Sequence, residues 1–346
     1  MTDRLRVVVA TPLSAGDAAM IREREPRLDL VHEPALLGAP SPLPARARHE
    51  RTPEEQARFE ALLDTAEALY GVPDQSGRAL ARTVAANPGL RWVHTIPAGG
   101  GQQVRAAGLA SEALERIAFT TSAGVHAEPL AEFALFGVLA GAKLLPYLLE
   151  AQREGRWAPS RLMGLAPDMT VAVVGLGSIG RSVARKLSLL GYHVLGVHRR
   201  PVEVPGVAEL LGVERLAEAA ARADAVVMCL PGTVRTERML GAEALAAIKP
   251  GATVVNVGRG TTIDEPALVE ALRDGRVGFA ALDVMQLEPL PADSPLWGMP
   301  NVLISPHTAA RSVHEPRLVA ELFAENARRL LDEEPLLNRV DTEEFY

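Results

Sequence analysis

The stretch Val171–Arg181, VAVVGLGSIGR, decides how the rest of this 346-residue chain is read. An apolar β-forming run meets glycine at Gly175, and a helical pattern opens directly behind it. This predicts strand, tight turn and helix in succession. Gly175, Gly177 and Gly180 stand at G-x-G-x-x-G spacing. The first glycine would permit the turn, the second would let a pyrophosphate approach the backbone, and the third would let helix and strand pack closely. The exposed N–H groups and positive dipole end of the helix would then hold the phosphates. A glycine-rich turn with no ligand is the plain alternative. The context favours a dinucleotide: strand before, helix after, and a second strand, His193–Val197, about 20 residues on.

From Thr170 onward the alternation is regular. Val171–Val174, His193–Val197, Ala225–Leu230, Thr253–Val257, Phe279–Leu282 and Val302–Ile304 have strand length and β-rich composition. Helical patterns at Arg181–Leu190, Glu243–Ile248 and Glu265–Arg273 lie between them. Buried strands alternating with helices predict a doubly wound parallel sheet, an α/β fold. The first half is a smaller α/β unit. It has apolar runs at Leu5–Ala10, Ala66–Tyr70 and Trp92–Ile96, a Pro-rich surface loop from Pro34 to Pro44, and a helix start at Thr52-Pro53-Glu54-Glu55. Ala131–Gln152 reads as one long apolar helix. A final helix, about Arg317–Leu331, has no strand after it and is expected to pack back on the first half. Residues 123–312 would then form a domain inserted into a discontinuous one made of 1–122 and 313–346.

Composition narrows the function. Hydrophobic residues make up 48 % and charged residues 23 %, an ordinary globular balance. The net charge of −7, from 36 basic and 43 acidic side chains, argues against nucleic acid or an anionic membrane as partner. Cys229 is the only cysteine, so an internal disulfide is impossible and a cysteine-based zinc site is not expected. The most apolar stretch, Phe133–Leu149, is interrupted by Lys143 and Pro146 and falls short of the roughly 20 residues that span a bilayer. The opening MTDRLRVVVATPLS has no signal-peptide pattern, and a cytoplasmic protein is expected. No glycine precedes a lysine as in a P-loop, no His-Glu-x-x-His occurs, and Tyr70, Tyr147 and Tyr192 lack a lysine four residues on. Any hydride chemistry would use a metal-free acid and base.

The end of the second strand bears on the cofactor. Where NAD-binding chains carry an acid for the ribose 2′-OH, this one has His198-Arg199-Arg200. Paired guanidiniums bind a 2′-phosphate that a carboxylate would repel, so NADP is preferred and NAD remains possible. A solvated turn is the competing reading of the two arginines.

Ligands of open α/β sheets bind outside the carboxyl ends of the strands. Those ends deliver Gly258-Arg259-Gly260, then Asp283 with Glu288-Pro289, then Ser305-Pro306-His307. Each residue alone has a bland reading as a surface charge, turn acid or loop histidine. Together they suit a 2-oxo/2-hydroxy acid pair. Arg259, between two glycines that would allow a ligand close approach, can fork onto a carboxylate and polarise the adjacent oxo group. Histidine is the side-chain type suited to proton exchange near neutral pH, so His307 can donate or accept the proton, and Glu288 would orient it and stabilise the imidazolium. Asp283 could accept from a nicotinamide carboxamide.

The motifs VVGLGSIGR, NVGRGTTIDEPALVEAL, ALDVMQLEPLPADSPLW and SPHTAA, in that order, make the run from Val171 to His307 resemble the D-isomer-specific 2-hydroxyacid dehydrogenases. The resemblance implies a Rossmann-like coenzyme domain inserted in a smaller flavodoxin-like substrate domain, and a homodimer built largely by the coenzyme domains. It puts Arg259, Glu288 and His307 on the family's catalytic residues and Asp283 on its nicotinamide contact. Ser178 and Ile179 fall at the pyrophosphate, while Val257, Gly258, Thr308, Ala309 and Ala310 fall on backbone lining the nicotinamide. Ile96–Gly101 resembles the substrate loop, with Gly99 and Gly100 meeting the carboxylate. The acid that usually ends this loop is replaced by Gly101 and Gln102.

The function expected is reduction of a small 2-oxo acid, such as glyoxylate or hydroxypyruvate, by NADP(H) or NAD(H). Two alternatives stand beside it. One is a catalytically silent, NAD(P)-gated binding protein or corepressor on the same fold. The other is oxidation of a different acid, formate included, although the Gln that the formate branch keeps beside its histidine is missing here. His126, Cys229, Trp157 and Trp297 are read as structural.

Overall fold

The computed structural model describes residues 4–39 and 49–345, so the part of the Pro34–Pro44 loop from Pro40 onward lies outside it. The chain forms two compact units, Met1–Val125 with Arg311–Tyr346, and His126–Ala310.

The first unit holds five parallel strands: β1 (Leu5–Val9), β2 (Leu28–Val31), β3 (Ala68–Tyr70), β4 (Trp92–Thr95) and β5 (Ala118–Thr121), in spatial order β2-β1-β3-β4-β5. The helix Pro53–Leu63 starts with a capping box, in which the Thr52 hydroxyl accepts from the Glu55 N–H while the Glu55 carboxylate accepts from the Thr52 N–H. The last helix, Glu315–Leu331, buries Val319, Ala320, Phe323, Ala324 and Ala327 in this unit's core. There Phe323 stacks on Trp92 with ring centroids 4.6 Å apart. Burial holds the His94 imidazole down to about 3, and the hydroxyls of Thr120 and Ser122 satisfy its two ring nitrogens, so it is a neutral core group.

The second unit is a seven-stranded parallel sheet. Its strands are β6 (Thr170–Val174), β7 (His193–Val197), β8 (Glu209–Leu211), β9 (Ala225–Met228), β10 (Ala252–Asn256), β11 (Val277–Leu282) and β12 (Val302–Ile304). Their spatial order is β12-β11-β10-β9-β6-β7-β8. From β6 the chain winds outward through β7 and β8, then returns to β9 and winds the other way. The crevice beside β6 and β9 is therefore the topological switch point. Strands β6, β9 and β10 are almost wholly buried, which is why they read as unbroken apolar runs.

One expectation fails here. Ala131–Gln152 is not one helix but two, Ala127–Ala142 and Leu145–Arg153, bent by 68°. Pro146 has no N–H to continue the ladder, and Leu144 takes the left-handed conformation at the break. The short strands β2, β5 and β8 have no counterpart among the sequence-based elements. Among the described residues no single helix is long and apolar enough to cross a membrane.

Candidate active site

Strand register builds the site. Ile304 pairs with Leu282, Leu282 with Asn256, Asn256 with Met228, Met228 with Val174, and Val174 with Val197. These six residues form one row across the sheet, at the carboxyl ends of their strands. The next residue in each strand therefore emerges along a single edge: Ser305, Asp283, Val257, Cys229, Gly175 and His198. Arg259 and His307 each follow this row by three residues.

At the switch point Gly175 turns with φ +93°, and its N–H donates to the Val197 carbonyl. A Cβ on Gly180 would sit 1.9 Å from the Gly175 carbonyl oxygen, so only glycine lets the helix Ser178–Leu189 pack there. Gly177 differs, because a Cβ there would meet nothing within 4 Å. The protein's own packing does not require glycine at that position. Exposed Gly177 and Ser178 at a helix start are a cradle that fits a pyrophosphate.

Beside the cradle lies the segment His198-Arg199-Arg200. His198 accepts weakly from the Leu176 N–H, at 3.5 Å from N to Nδ1. Burial and then the charges of Arg199, Arg181 and Arg200 push its imidazole below the ordinary histidine value. Arg199 and Arg200 are exposed and make no ion pair among the described residues. Arg181, which the sequence reading passed over, braces the turn by donating to the Leu176 carbonyl at 3.1 Å.

Gly258 and Gly260 are glycines for a reason the sequence does not carry. A Cβ on Gly258 would lie 2.4 Å from the Leu230 carbonyl oxygen, and one on Gly260 would lie 1.9 Å from Met285 backbone. Both let neighbouring protein backbone approach, where the sequence reading had them open the way to a ligand. Between them Arg259 is exposed, its Nη1 donating only to the Gly258 carbonyl, with no carboxylate paired to it. An unpaired guanidinium beside a dinucleotide cradle can take an acidic ligand.

Asp283 is 2 % exposed and organises the opposite side of this edge. Its Oδ1 accepts from the Ser305 hydroxyl at 2.8 Å and from the Thr308 and Ala309 N–H groups at 2.9 Å each. Oδ2 has no partner among the described residues. The Asp283 carbonyl accepts from the His307 N–H at 2.9 Å, and His307 is held at φ +55°. A left-handed conformation at a residue other than glycine costs about 1–3 kcal/mol and persists where the surroundings over-determine it. Here it turns the imidazole onto Glu288, with Nδ1 at 2.7 Å from Oε2. Glu288 is held in turn by the Met285 N–H, 3.0 Å from Oε1. With Nδ1 facing the carboxylate, Nε2 is the ring nitrogen with no partner among the described residues.

Cys229 also reaches this edge, but burial pushes its thiol up to about 12, which makes it inert. Val257 is buried and Ala310 half-buried. In the first unit, Gly100 donates its N–H to the Pro97 carbonyl, and a Cβ there would strike the Thr95 hydroxyl. Its N–H is spent on the turn, whereas the Ala98 and Gly99 N–H groups have no acceptor among the described residues. Among the described residues no cluster of ligating side chains could hold a metal ion.

The family model of the D-isomer specific 2-hydroxyacid dehydrogenase NAD binding domain matches residues 135–309. The chain belongs to that family. The family model thus spans nearly the whole seven-stranded unit, from the glycine cradle to the Glu288–His307 pair. Glyoxylate/hydroxypyruvate reductase B of Yersinia pseudotuberculosis is 34 % identical over 275 residues, which are 77 % of this chain and 81 % of that protein. D-3-phosphoglycerate dehydrogenase of Methanocaldococcus jannaschii is 34 % identical over 216 residues, 61 % of this chain but only 41 % of its own length. Among solved structures, a family member from Xanthobacter autotrophicus Py2 in complex with NADPH and MES has 31 % identity and a TM-score of 0.74. That match covers 99 % of this chain and 100 % of the other.

Proposed function

We propose that this chain is a metal-free oxidoreductase that reduces a small 2-oxo acid to its 2-hydroxy acid, with NADPH preferred to NADH. The single observation that carries the reading is the Glu288–His307 pair, hydrogen-bonded at 2.7 Å on the same sheet edge as the glycine cradle. When bound, the cofactor supplies the hydride for the oxo carbon. The protein's part is electrostatic and prototropic. Arg259 binds the substrate carboxylate and polarises the oxo group, and Nε2 of His307 delivers the proton to the oxo oxygen. Glu288 orients the imidazole and balances its charge. Gly177, Ser178 and Ile179 would hold the pyrophosphate. Val257, Gly258 and residues 308–310 would line the nicotinamide, and Oδ2 of Asp283 is the acceptor left for its carboxamide.

Support for NADPH comes from Arg199 and Arg200, exposed beside a histidine whose imidazole burial and three arginines push below its ordinary value. The Xanthobacter relative carries NADPH, and the Yersinia relative is named for glyoxylate and hydroxypyruvate. The test is oxidation of NADPH and of NADH against a panel of 2-oxo acids, read by the loss of reduced-nicotinamide absorbance. Turnover of small oxo acids with NADPH is expected. No turnover with any panel member, alongside tight NADPH binding, would favour a silent binding protein instead. The double variant Arg199→Ala/Arg200→Ala should raise the NADPH Kd by roughly 30-fold and the NADH Kd by less than about 3-fold, the loss of charge-assisted hydrogen bonds to one phosphate. An unchanged NADPH-to-NADH affinity ratio would refute the cofactor preference.

The protein is further proposed to be a cytoplasmic homodimer. Residues 153–165 of the second unit leave Trp157 and Leu162 almost wholly exposed, with Met163 and Leu165 exposed beside them. Apolar surface of this kind is buried by association. A dimer in light scattering is expected, and Trp157→Ser/Leu162→Ser should shift it to monomer. A wild-type monomer at micromolar concentration would remove this part of the reading.

A further inference from the structure

Strand β10 reads Ala-Thr-Val-Val-Asn and is buried throughout. A carboxamide ending such a strand is costly unless its donor and acceptor are both used. Asn256 is 1 % exposed, and its side chain uses both on one target. Oδ1 accepts from the Gly258 N–H at 3.0 Å, and Nδ2 donates to the Arg259 carbonyl at 3.1 Å. The Thr262 hydroxyl donates to that same carbonyl at 2.6 Å. The backbone carbonyl of Asn256 accepts from the Asp283 N–H at 3.0 Å. One buried residue thus brackets the Gly258–Arg259 peptide with its amide and holds the start of the Asp283–His307 loop system with its backbone.

We propose that Asn256 is a positioning residue of the reaction. Its carboxamide fixes the turn from which Arg259 reaches the substrate carboxylate. The Arg259 guanidinium has no carboxylate partner to hold it, and its one bond is to the neighbouring Gly258 carbonyl. The direction in which it projects is therefore set by its own backbone, which Asn256 holds at the Gly258 N–H and, together with Thr262, at the Arg259 carbonyl. A small displacement at such a position is expensive, because an ångström of misplacement can cost about 100-fold in rate. Leucine, the apolar isostere of asparagine, would keep the shape and lose the bracket.

This inference rests on the reading that Arg259 binds the substrate carboxylate, and a double-mutant cycle separates the two claims. The wild type, Asn256→Ala, Arg259→Ala and the double variant are compared by kcat and KM for glyoxylate with NADPH, by NADPH Kd from fluorescence, and by Tm. If Asn256 acts through Arg259, Asn256→Ala lowers kcat/KM by roughly 30-fold in the wild-type background, mostly in KM. The same change costs less than about 3-fold once Arg259 is alanine. The NADPH Kd stays within about 2-fold in every variant. Equal fold-losses in both backgrounds would overturn the positioning role. So would a loss confined to Tm, or an NADPH Kd that weakens in parallel. An Arg259→Ala enzyme as active as wild type would instead sink the reading of Arg259 itself. Should Asn256→Ala fail to fold, Asn256→Ser runs the same cycle, since serine keeps one donor and an acceptor but on a single oxygen nearer the backbone, where the carboxamide offers two separate atoms. It is expected to fall between wild type and alanine in KM, and a wild-type KM in that variant would refute the proposal.

Discussion

His307→Gln is expected to lower kcat by about 10³-fold while leaving the NADPH Kd within about 2-fold, because a general acid–base typically contributes 10²–10⁴. The amide of glutamine can still donate toward Glu288, so the loop it bridges keeps an anchor, but no proton can leave it at working pH. The loss should therefore fall on turnover and spare binding. The left-handed backbone at His307, φ +55°, makes the choice of substitution matter. A β-branched residue would add strain of its own there and confuse folding with chemistry. Single-turnover oxidation of NADPH with glyoxylate, beside cofactor titration by fluorescence, checks both halves. Near-normal turnover in His307→Gln would remove this residue as the acid.

Arg259→Ala is expected to cost about 10³-fold in kcat/KM for a 2-oxo acid, and Arg259→Lys roughly 10-fold less. The argument is geometric. A guanidinium can hold a carboxylate with two parallel hydrogen bonds, whereas an ammonium keeps the charge and loses the fork. Part of the interaction is made with the ground-state carboxylate and should appear as a raised KM. The part directed at the developing negative charge on the oxo oxygen should appear in kcat. Arg259 makes no salt bridge within the protein, so its removal leaves no buried partner stranded and Tm should hardly move. Identical oxo-acid kinetics in wild type and Arg259→Ala would contradict the role. A fall in Tm by several degrees would show that the residue also serves the fold.

The contrast between Gly180 and Gly258 shows how far the sequence could be read. Both looked like glycines placed for function. Gly180 was legible in its role because its partner, the Gly175 carbonyl, lies five residues away in the same turn. Gly258 and Gly260 were not, because the backbone they make room for, Leu230 and Met285, lies about 25 residues distant on neighbouring strands. Asn256 was hidden by conformation rather than by distance, for its side-chain partners lie only two and three residues on. Its signal, a polar residue closing an apolar strand two positions before Gly-Arg-Gly, was present but had no partner to point to until the turn folded back on it. The broken helix is a different kind of miss. Pro146 was in plain view, and the apolar run around it was allowed to outweigh the missing N–H.

Local pattern therefore determined the alternation of strand and helix, the glycine turn, and the identity of the arginine, acid and histidine that follow three particular strands, since each depends on residues a few positions apart. Only the tertiary structure decided the rest. Pairing of Ile304, Leu282, Asn256, Met228, Val174 and Val197 in one register row is a property of six strands taken together. A slip of one residue in any of them would have turned its functional end to the other face of the sheet.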